Sequence, residues 1–127
     1  MTGTDGRSEW EHPLKEPVAA VAKVSFIRRK TGLHADFLRG TAVLTESRFL
    51  VFKEGVFPTI PRTEKTLRQR LRLEVPRTDI TDVEQEDGVK NTYILRYIDG
   101  KERKISFRSG TEGKALIKLM EQDLSGG

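Results

Sequence analysis

The sequence contains no cysteine and only two histidines, His12 and His34, among its 127 residues. The absence of cysteine excludes disulfides, thiolate metal ligands and a cysteine nucleophile, so nothing favours an oxidising compartment and we expect a cytoplasmic protein. No apolar run approaches the roughly 20 residues that span a bilayer, and residues 1–17 lack the apolar stretch of a secretory signal. The length is sufficient for one domain with its own core.

Catalytic signatures are equally scarce. No serine lies in a G-x-S-x-G motif, and neither histidine is placed as the base that a Ser-His-Asp site needs. Residues 110–114 (GTEGK) look like part of a phosphate-binding loop, but Arg108 replaces its first glycine and Ala115 its magnesium-binding serine or threonine. We therefore predict a non-catalytic protein without a cofactor or a metal.

The order of apolar residues predicts a mainly β protein. From residue 18 onwards apolar and polar side chains alternate with the period of a β-strand, and turn signals such as Asp99-Gly100 separate seven such runs. After the last run, Ser109 and Glu112 have the spacing of a capping box, and the period becomes that of a helix from about residue 111 to 124. The apolar side of this helix carries Leu116, Leu119, Met120 and Leu124.

Residues 1–17 contain two glycines and two prolines among scattered charges. This composition predicts a flexible N-terminal arm and leaves residues 18–125 as the domain. Trp10 is the one aromatic residue of the arm. It either folds back onto the domain, which is the alternative we favour, or serves as a binding hook.

Two segments resemble motifs of GRAM and bacterial pleckstrin-homology-like (PH-like) domains. Residues 40–52 (GTAVLTESRFLVF) resemble the hairpin in which a glycine opens one strand and a Thr-x-x-Arg turn leads into an apolar strand. Residues 75–84 (VPRTDITDVE) are similar to a superfamily segment with an apolar residue, a proline, an isoleucine and a Val-Glu pair. The Asp-Gly hairpin and the closing helix follow in the matching order, so the resemblance extends over residues 18–124.

The resemblance implies a partly open barrel of seven antiparallel strands in two near-orthogonal sheets, with the C-terminal helix plugging one end. The residue pattern agrees with this arrangement. Seven strands with one apolar face cannot bury those faces in a flat sheet, and the apolar side of the helix needs an open barrel end. The predicted fold class is therefore mainly β with one C-terminal α-helix.

Positive charge is concentrated in two segments. Residues 28–40 hold four cations and one carboxylate, and residues 60–72 hold five cations and one carboxylate, in a chain with a net charge of +4. The resemblance assigns both segments to variable loops at the open end of the barrel. Phosphoinositide-binding members place basic residues in the first of these loops, but with a spacing that is not reproduced here. The candidate partner-binding residues are Arg28, Arg29, Lys30, Arg39, Arg62, Lys65 and Arg68.

Two other segments allow more than one interpretation. Five carboxylates occur within nine residues, at Asp79, Asp82, Glu84, Glu86 and Asp87. Their spacing is not that of a calcium-binding EF-hand loop, so we interpret them as a solvated acidic edge. Residues 54–69 are longer than an ordinary hairpin turn. Their apolar side chains are Val56, Phe57, Ile60 and Leu67. The first three either tuck under the barrel, which we favour, or form an exposed tip for a membrane or a partner.

The leading hypothesis is a non-catalytic adaptor module that recruits a protein partner or an anionic surface through its basic loops. The structural alternative is that these loops are only solvated surface. A second function is that of a membrane-targeting domain that binds acidic lipid head groups at the membrane periphery. Nucleic-acid binding comes third, because aromatic residues are not interleaved with the basic ones.

Overall fold

The computed structural model describes residues 10–11, 14–29, 35–54, 63–88 and 91–125, which form an antiparallel sheet of seven strands with two helices. The strands are β1 (Val18–Arg29), β2 (Ala35–Thr45), β3 (Arg48–Lys53), β4 (Leu71–Pro76), β5 (Ile80–Gln85), β6 (Thr92–Tyr97) and β7 (Glu102–Phe107). Helix α1 (Glu64–Arg70) precedes β4, a 3₁₀ turn (Arg77–Asp79) joins β4 to β5, and helix α2 (Gly110–Ser125) follows β7. The predicted mainly β fold with a C-terminal helix is confirmed.

Strand β1 joins the two halves of the sheet, whose strand order is β4-β3-β2-β1-β7-β6-β5. It pairs with β2 over its whole length and with β7 at Val24 and Ser25, which lie opposite Phe107 and Ser106. Because β1 pairs along both of its edges, the seven strands are one continuous sheet. The predicted division into two near-orthogonal sheets is therefore not confirmed.

One face of the sheet and helix α2 enclose the main core. The most deeply buried members of this core are Val24, Leu44, Phe49, Leu95 and, from α2, Leu116. Tyr93 and Phe107 meet edge to face in the same core, with ring centroids 5.7 Å apart. Helix α2 is capped as predicted, since the Glu112 N–H donates to Ser109 Oγ at 3.4 Å.

Residues 40–45 of β2 and 49–52 of β3 are buried on both faces of the sheet. Along β3, Phe49 and Val51 belong to the main core, whereas Leu50 and Phe52 point to the opposite side of the sheet, which we call the outer face. There they form a second apolar cluster whose other buried members are Trp10, Leu14, Val18, Val43 and Leu67. A sheet with two apolar faces needs cover on both sides, and residues outside the strands supply the second cover.

Helix α1 is an addition to the predicted elements. Thr63 caps it, because its hydroxyl accepts a hydrogen bond from the backbone N–H of Thr66 at 3.1 Å. Leu67 is the one buried residue of this seven-residue helix, too little apolar content to produce a helical period in the sequence. Within the described residues, no helix has both the length and the apolar character that a membrane span requires.

We predict that Gly113→Ala destabilises the protein. A Cβ atom at Gly113 would lie 2.5 Å from Cγ of Phe107, a buried side chain that also packs against Tyr93. We expect a loss of about 1–3 kcal/mol from overpacking, although glycine-to-alanine replacement in a helix by itself favours folding by up to about 1 kcal/mol. Chemical denaturation measures the difference. Exposed Lys114→Ala is the matched control, and an increase in stability for Gly113→Ala would contradict the close packing of α2 on β7.

Candidate functional site

The first predicted basic segment lies at the end of a long hairpin. Arg28 and Arg29 are the last two residues of β1, opposite Asp36 and Ala35 of β2. Pairing between β2 and β3 ends at Gly40 and Lys53, so the β1–β2 hairpin extends beyond the neighbouring strand. Arg39 is exposed on β2, whereas Lys30 lies outside the described residues.

The second predicted basic segment includes helix α1. Lys65 and Arg68 are exposed on this helix, and Arg62 lies outside the described residues. Arg68 forms an ion pair with Glu64 one turn earlier, with 2.7 Å between Nη2 and Oε1, but both side chains remain more than half exposed. Leu67 is buried against the outer face. Val56, Phe57 and Ile60, for which we favoured packing under the barrel, lie outside the described residues.

The two basic segments lie toward the same end of the sheet but are not contiguous. Helix α1 packs through Leu67 into the cluster that contains Phe52. Phe52 lies opposite Thr41 of β2, and Thr41 lies opposite Lys23 of β1, so these residues are at the same height in the sheet. Arg28 is five residues further along β1, which corresponds to about 16 Å. This is about twice the Debye length of ~8 Å at physiological salt, so Arg28 and the cations of α1 act as separate positive surfaces.

Two cations between these segments share one carboxylate. Arg108 Nη1 lies 2.8 Å from Glu54 Oε1, and Lys23 Nζ lies 3.8 Å from the same oxygen. Lys23 also donates a hydrogen bond to Thr41 Oγ1 at 3.4 Å. Glu54 therefore balances one of these two positive charges.

The predicted acidic edge is organised around one arginine. Arg96 of β6 forms ion pairs with Asp82, Glu84 and Glu102 at 2.7–2.8 Å. The hydrogen bonds that it donates to Glu84, Asp82 and Glu102 raise its pKa above the ordinary value. Lys104 pairs with Glu86 at 2.6 Å. Most of these carboxylates are largely exposed, as expected of a solvated edge. Among the described residues, no group of three histidine, aspartate or glutamate side chains is arranged to hold a metal ion.

A segment before β1 covers part of the outer face. We call residues 10–11 and 14–17 the strap. Trp10 stacks on Phe52 with ring centroids 5.0 Å apart, and both Trp10 and Leu14 are more than nine-tenths buried. The Glu11 carboxylate accepts a hydrogen bond from the Val18 N–H at 2.8 Å. The expectation that Trp10 folds back onto the domain is thus confirmed.

An ion-pair network ties the strap to β3 and β4. Arg48 donates from Nε and Nη2 to Glu16 Oε2, at 3.1 and 2.8 Å, and its Nη1 contacts Glu74. Ser47 Oγ donates to Glu16 Oε1 at 3.2 Å. Burial by itself would raise the pKa of Glu16, but hydrogen bonds from Arg48, Ser47 and other side chains outweigh it and hold the pKa below the usual 4.5. Burial by itself would lower the pKa of Arg48, but its hydrogen bonds to Glu16 and Glu74 and their negative charges outweigh burial and raise that pKa.

Strap, sheet and α1 leave a groove of about 310 Å³ between them. Its apolar lining consists of Leu14, Leu50, Phe52, Leu67 and Leu71, and its charged lining consists of Lys15, Arg48, Glu64, Arg68 and Glu74. Arg68 is the predicted binding residue that lines this groove within the described part of the chain. Lys15 has a left-handed backbone with φ of 58° and ends the strap's helical turn, where its N–H donates to the Glu11 carbonyl at 2.8 Å.

The groove is the feature that sequence reasoning missed. Its one available signal is the run Phe49-Leu50-Val51-Phe52, which is apolar at every position and therefore indicates a strand buried on both faces. Such a strand requires a second covering layer. Trp10 and Leu14, four residues apart, are the apolar pair in the arm with the spacing to supply it.

We predict that Glu16→Gln destabilises the protein at neutral pH and much less in acid. A carboxylate whose pKa is lowered in the folded state stabilises the protein above its unfolded pKa of about 4.5, and this contribution disappears as the pH falls through the lower folded value. We expect a loss of about 1–2 kcal/mol near pH 7, from charge-assisted hydrogen bonds that are only partly buried. Urea denaturation of both proteins between about pH 7 and 3 measures the difference. Glu121→Gln, an exposed site on α2, is the control, and a pH-independent effect at Glu16 would contradict the network.

Comparisons with known proteins identify the fold. No protein-family model and no curated protein sequence matches the chain. The C-terminal domain of an unknown protein from Leishmania infantum matches with a TM-score of 0.57 and 12% identity, over 91% of this chain and 92% of that one. The structure of human RhoA in complex with the DH/PH fragment of PDZRHOGEF matches with a TM-score of 0.60 and 8% identity, over 87% of this chain.

The second match involves a much longer protein, because this chain spans 29% of its length. The same values apply to the ternary complex of human RhoA, its inhibitor and the DH/PH domain of human ARHGEF11. At such low identities the matches concern the fold and not the ligand. Together with the observed order of seven antiparallel strands and a closing helix, they show that the chain has a PH-like fold.

Proposed function

We propose that this chain is a non-catalytic binding module that recruits a protein partner or an anionic surface through its basic residues. The observation that carries the proposal is the exposed pair Lys65 and Arg68 on α1, a helix held against the outer face by Leu67. Membership of the GRAM group is part of the same proposal and rests on residues 40–52 and 75–84. The PH-like fold supports a binding role in general terms.

A protein partner is the favoured class. The DH/PH fragments in the similar structures are in complex with RhoA, a protein, and this supports the same class of partner here. Arg68 of α1 lines the groove, and a concave surface of this kind accepts side chains better than it accepts a bilayer. The absence of cysteine and of a recognisable serine nucleophile motif supports a role without catalysis.

Membrane targeting is a second candidate, which one exposed side chain favours. Ile98 in the β6–β7 turn is 64% exposed, and Lys101 and Arg103 next to it are exposed cations. Gly100, with φ of +86°, shapes this turn, in which its N–H donates to the Tyr97 carbonyl at 2.9 Å. An apolar tip flanked by positive charge is typical of segments that bind the surface of an anionic membrane.

We predict that the double variant Lys65→Gln/Arg68→Gln weakens binding to an acidic partner without changing stability. With polyglutamate as the probe, we expect a loss of affinity of about three- to tenfold and a flatter salt dependence, because two exposed charges each contribute up to about 1 kcal/mol. The melting temperature is expected to stay unchanged. Fluorescence anisotropy of labelled polyglutamate at two salt concentrations measures the effect.

The matched control is Lys114→Gln/Lys118→Gln, which removes the same two charges from exposed positions on α2. Equal losses for the two double variants would mean that only net charge matters, and the proposed site would be wrong. Neutralising Arg28, Arg29 and Lys30 is expected to add to the α1 effect independently, given their separation. Sedimentation with phosphatidylserine-containing and neutral vesicles tests the membrane alternative, and loss of that binding in Ile98→Ser would favour it.

A further inference from the structure

The groove on the outer face continues a surface to which a peptide segment is already bound. Leu50, Phe52 and Leu67 belong to the cluster that buries Trp10 and Leu14 of the strap, and the same three side chains line the groove. The strap therefore fills one part of this apolar surface, and the groove is the part beyond Leu14 and Lys15. Its volume of about 310 Å³ is enough for one or two large side chains.

The strap shows which chemistry this surface accepts. It provides two large apolar side chains four residues apart, and its Glu16 carboxylate pairs with Arg48 at the sheet. Apolar anchors next to a carboxylate are thus the combination bound in this part of the surface. Helix-in-groove recognition commonly uses the same i, i+4 spacing of anchors.

The charges around the groove favour another acidic ligand. Arg48 is engaged with Glu16 and Glu74, and Arg68 is engaged with Glu64. Lys15 is exposed, and among the described residues no carboxylate forms an ion pair with it. Its ammonium group is therefore the positive charge at the rim that is available to a ligand.

We propose that the groove binds a peptide segment of a partner protein that presents one large apolar side chain next to a carboxylate. The apolar side chain enters between Leu67 of α1 and Leu14 of the strap, over Phe52. The carboxylate pairs with Lys15 and approaches Arg68. This inference rests on the proposed function, since it names the class of partner for the surface that includes α1.

Selection of random dodecapeptides displayed on phage, with the full chain as the target, tests the proposal. We expect enrichment of leucine, phenylalanine or tryptophan directly next to aspartate or glutamate. Synthetic versions of the enriched peptides should bind Lys15→Glu about tenfold more weakly, because the charge-assisted contact becomes repulsive. The control Lys118→Glu, with the same change on exposed α2, should bind them like the original chain.

Trp10 provides a second readout at the groove. It stacks on Phe52, and it is the only tryptophan of the chain, so filling the groove should change its emission. Peptides in which alanine replaces the apolar residue should neither bind nor change that emission. Selection of no peptide, enrichment without the acid–apolar pair, or equal binding to Lys15→Glu would each overturn the proposal.

The polyglutamate experiment separates this inference from the proposed function. Polyglutamate has no apolar anchor, so it measures binding to exposed positive charge without filling the groove. Binding of polyglutamate without enrichment of groove peptides overturns the groove proposal and leaves the proposed function standing. If the chain neither binds polyglutamate nor enriches groove peptides, both the groove proposal and the proposed function are overturned. Salt-sensitive vesicle binding without any enriched peptide would favour the membrane as the ligand.

Discussion

The arrangement depends on one constraint, which is that β3 and residues 40–45 of β2 are buried on both faces. The inner face is covered by α2, in the manner that the PH-like fold requires. The outer face exposes Val43, Leu50 and Phe52 unless another layer covers them, and each large apolar side chain left in water forgoes about 1.5–3 kcal/mol of burial. The strap and α1 provide that layer. The position of the candidate site follows from this second cover, because the groove is the gap that the two segments leave between them.

Ion pairs fix the position of the strap, because apolar contacts are not directional. Glu16 accepts two hydrogen bonds from Arg48, which also contacts Glu74, so the strap, β3 and β4 share one network. On the opposite half of the sheet, Arg96 forms ion pairs with three carboxylates, those of Asp82, Glu84 and Glu102. Lys15 of the strap and Lys65 of α1 are exposed cations at one end of the outer face, and they favour an acidic ligand there.

The sequence predicted the fold well because strand periodicity and turn chemistry are local signals. Residues 71–75 alternate between the two faces of a strand as expected, and the chain reverses at Asp99-Gly100. The helix begins at the predicted cap. The joining of the sheet by β1 was not predictable in this way, since pairing with β7 connects residues about 80 positions apart and leaves no local pattern. Helix α1 and the groove were missed for a related reason. One buried leucine does not make a period, and the contact of Trp10 with Phe52 depends on tertiary packing. Of the predicted binding residues, Arg39, Lys65 and Arg68 are exposed as required, while their role stays a prediction.

The emission of Trp10 tests the central claim most directly, because no other tryptophan contributes to the signal. The claim is that the strap forms a second core with β2, β3 and α1. If it does, Trp10 in the native chain emits at shorter wavelength than in the denatured chain and is poorly quenched by acrylamide. Phe52→Ala should then shift the emission toward the denatured position. Native emission that matches the denatured chain, with full access for acrylamide, would contradict the account.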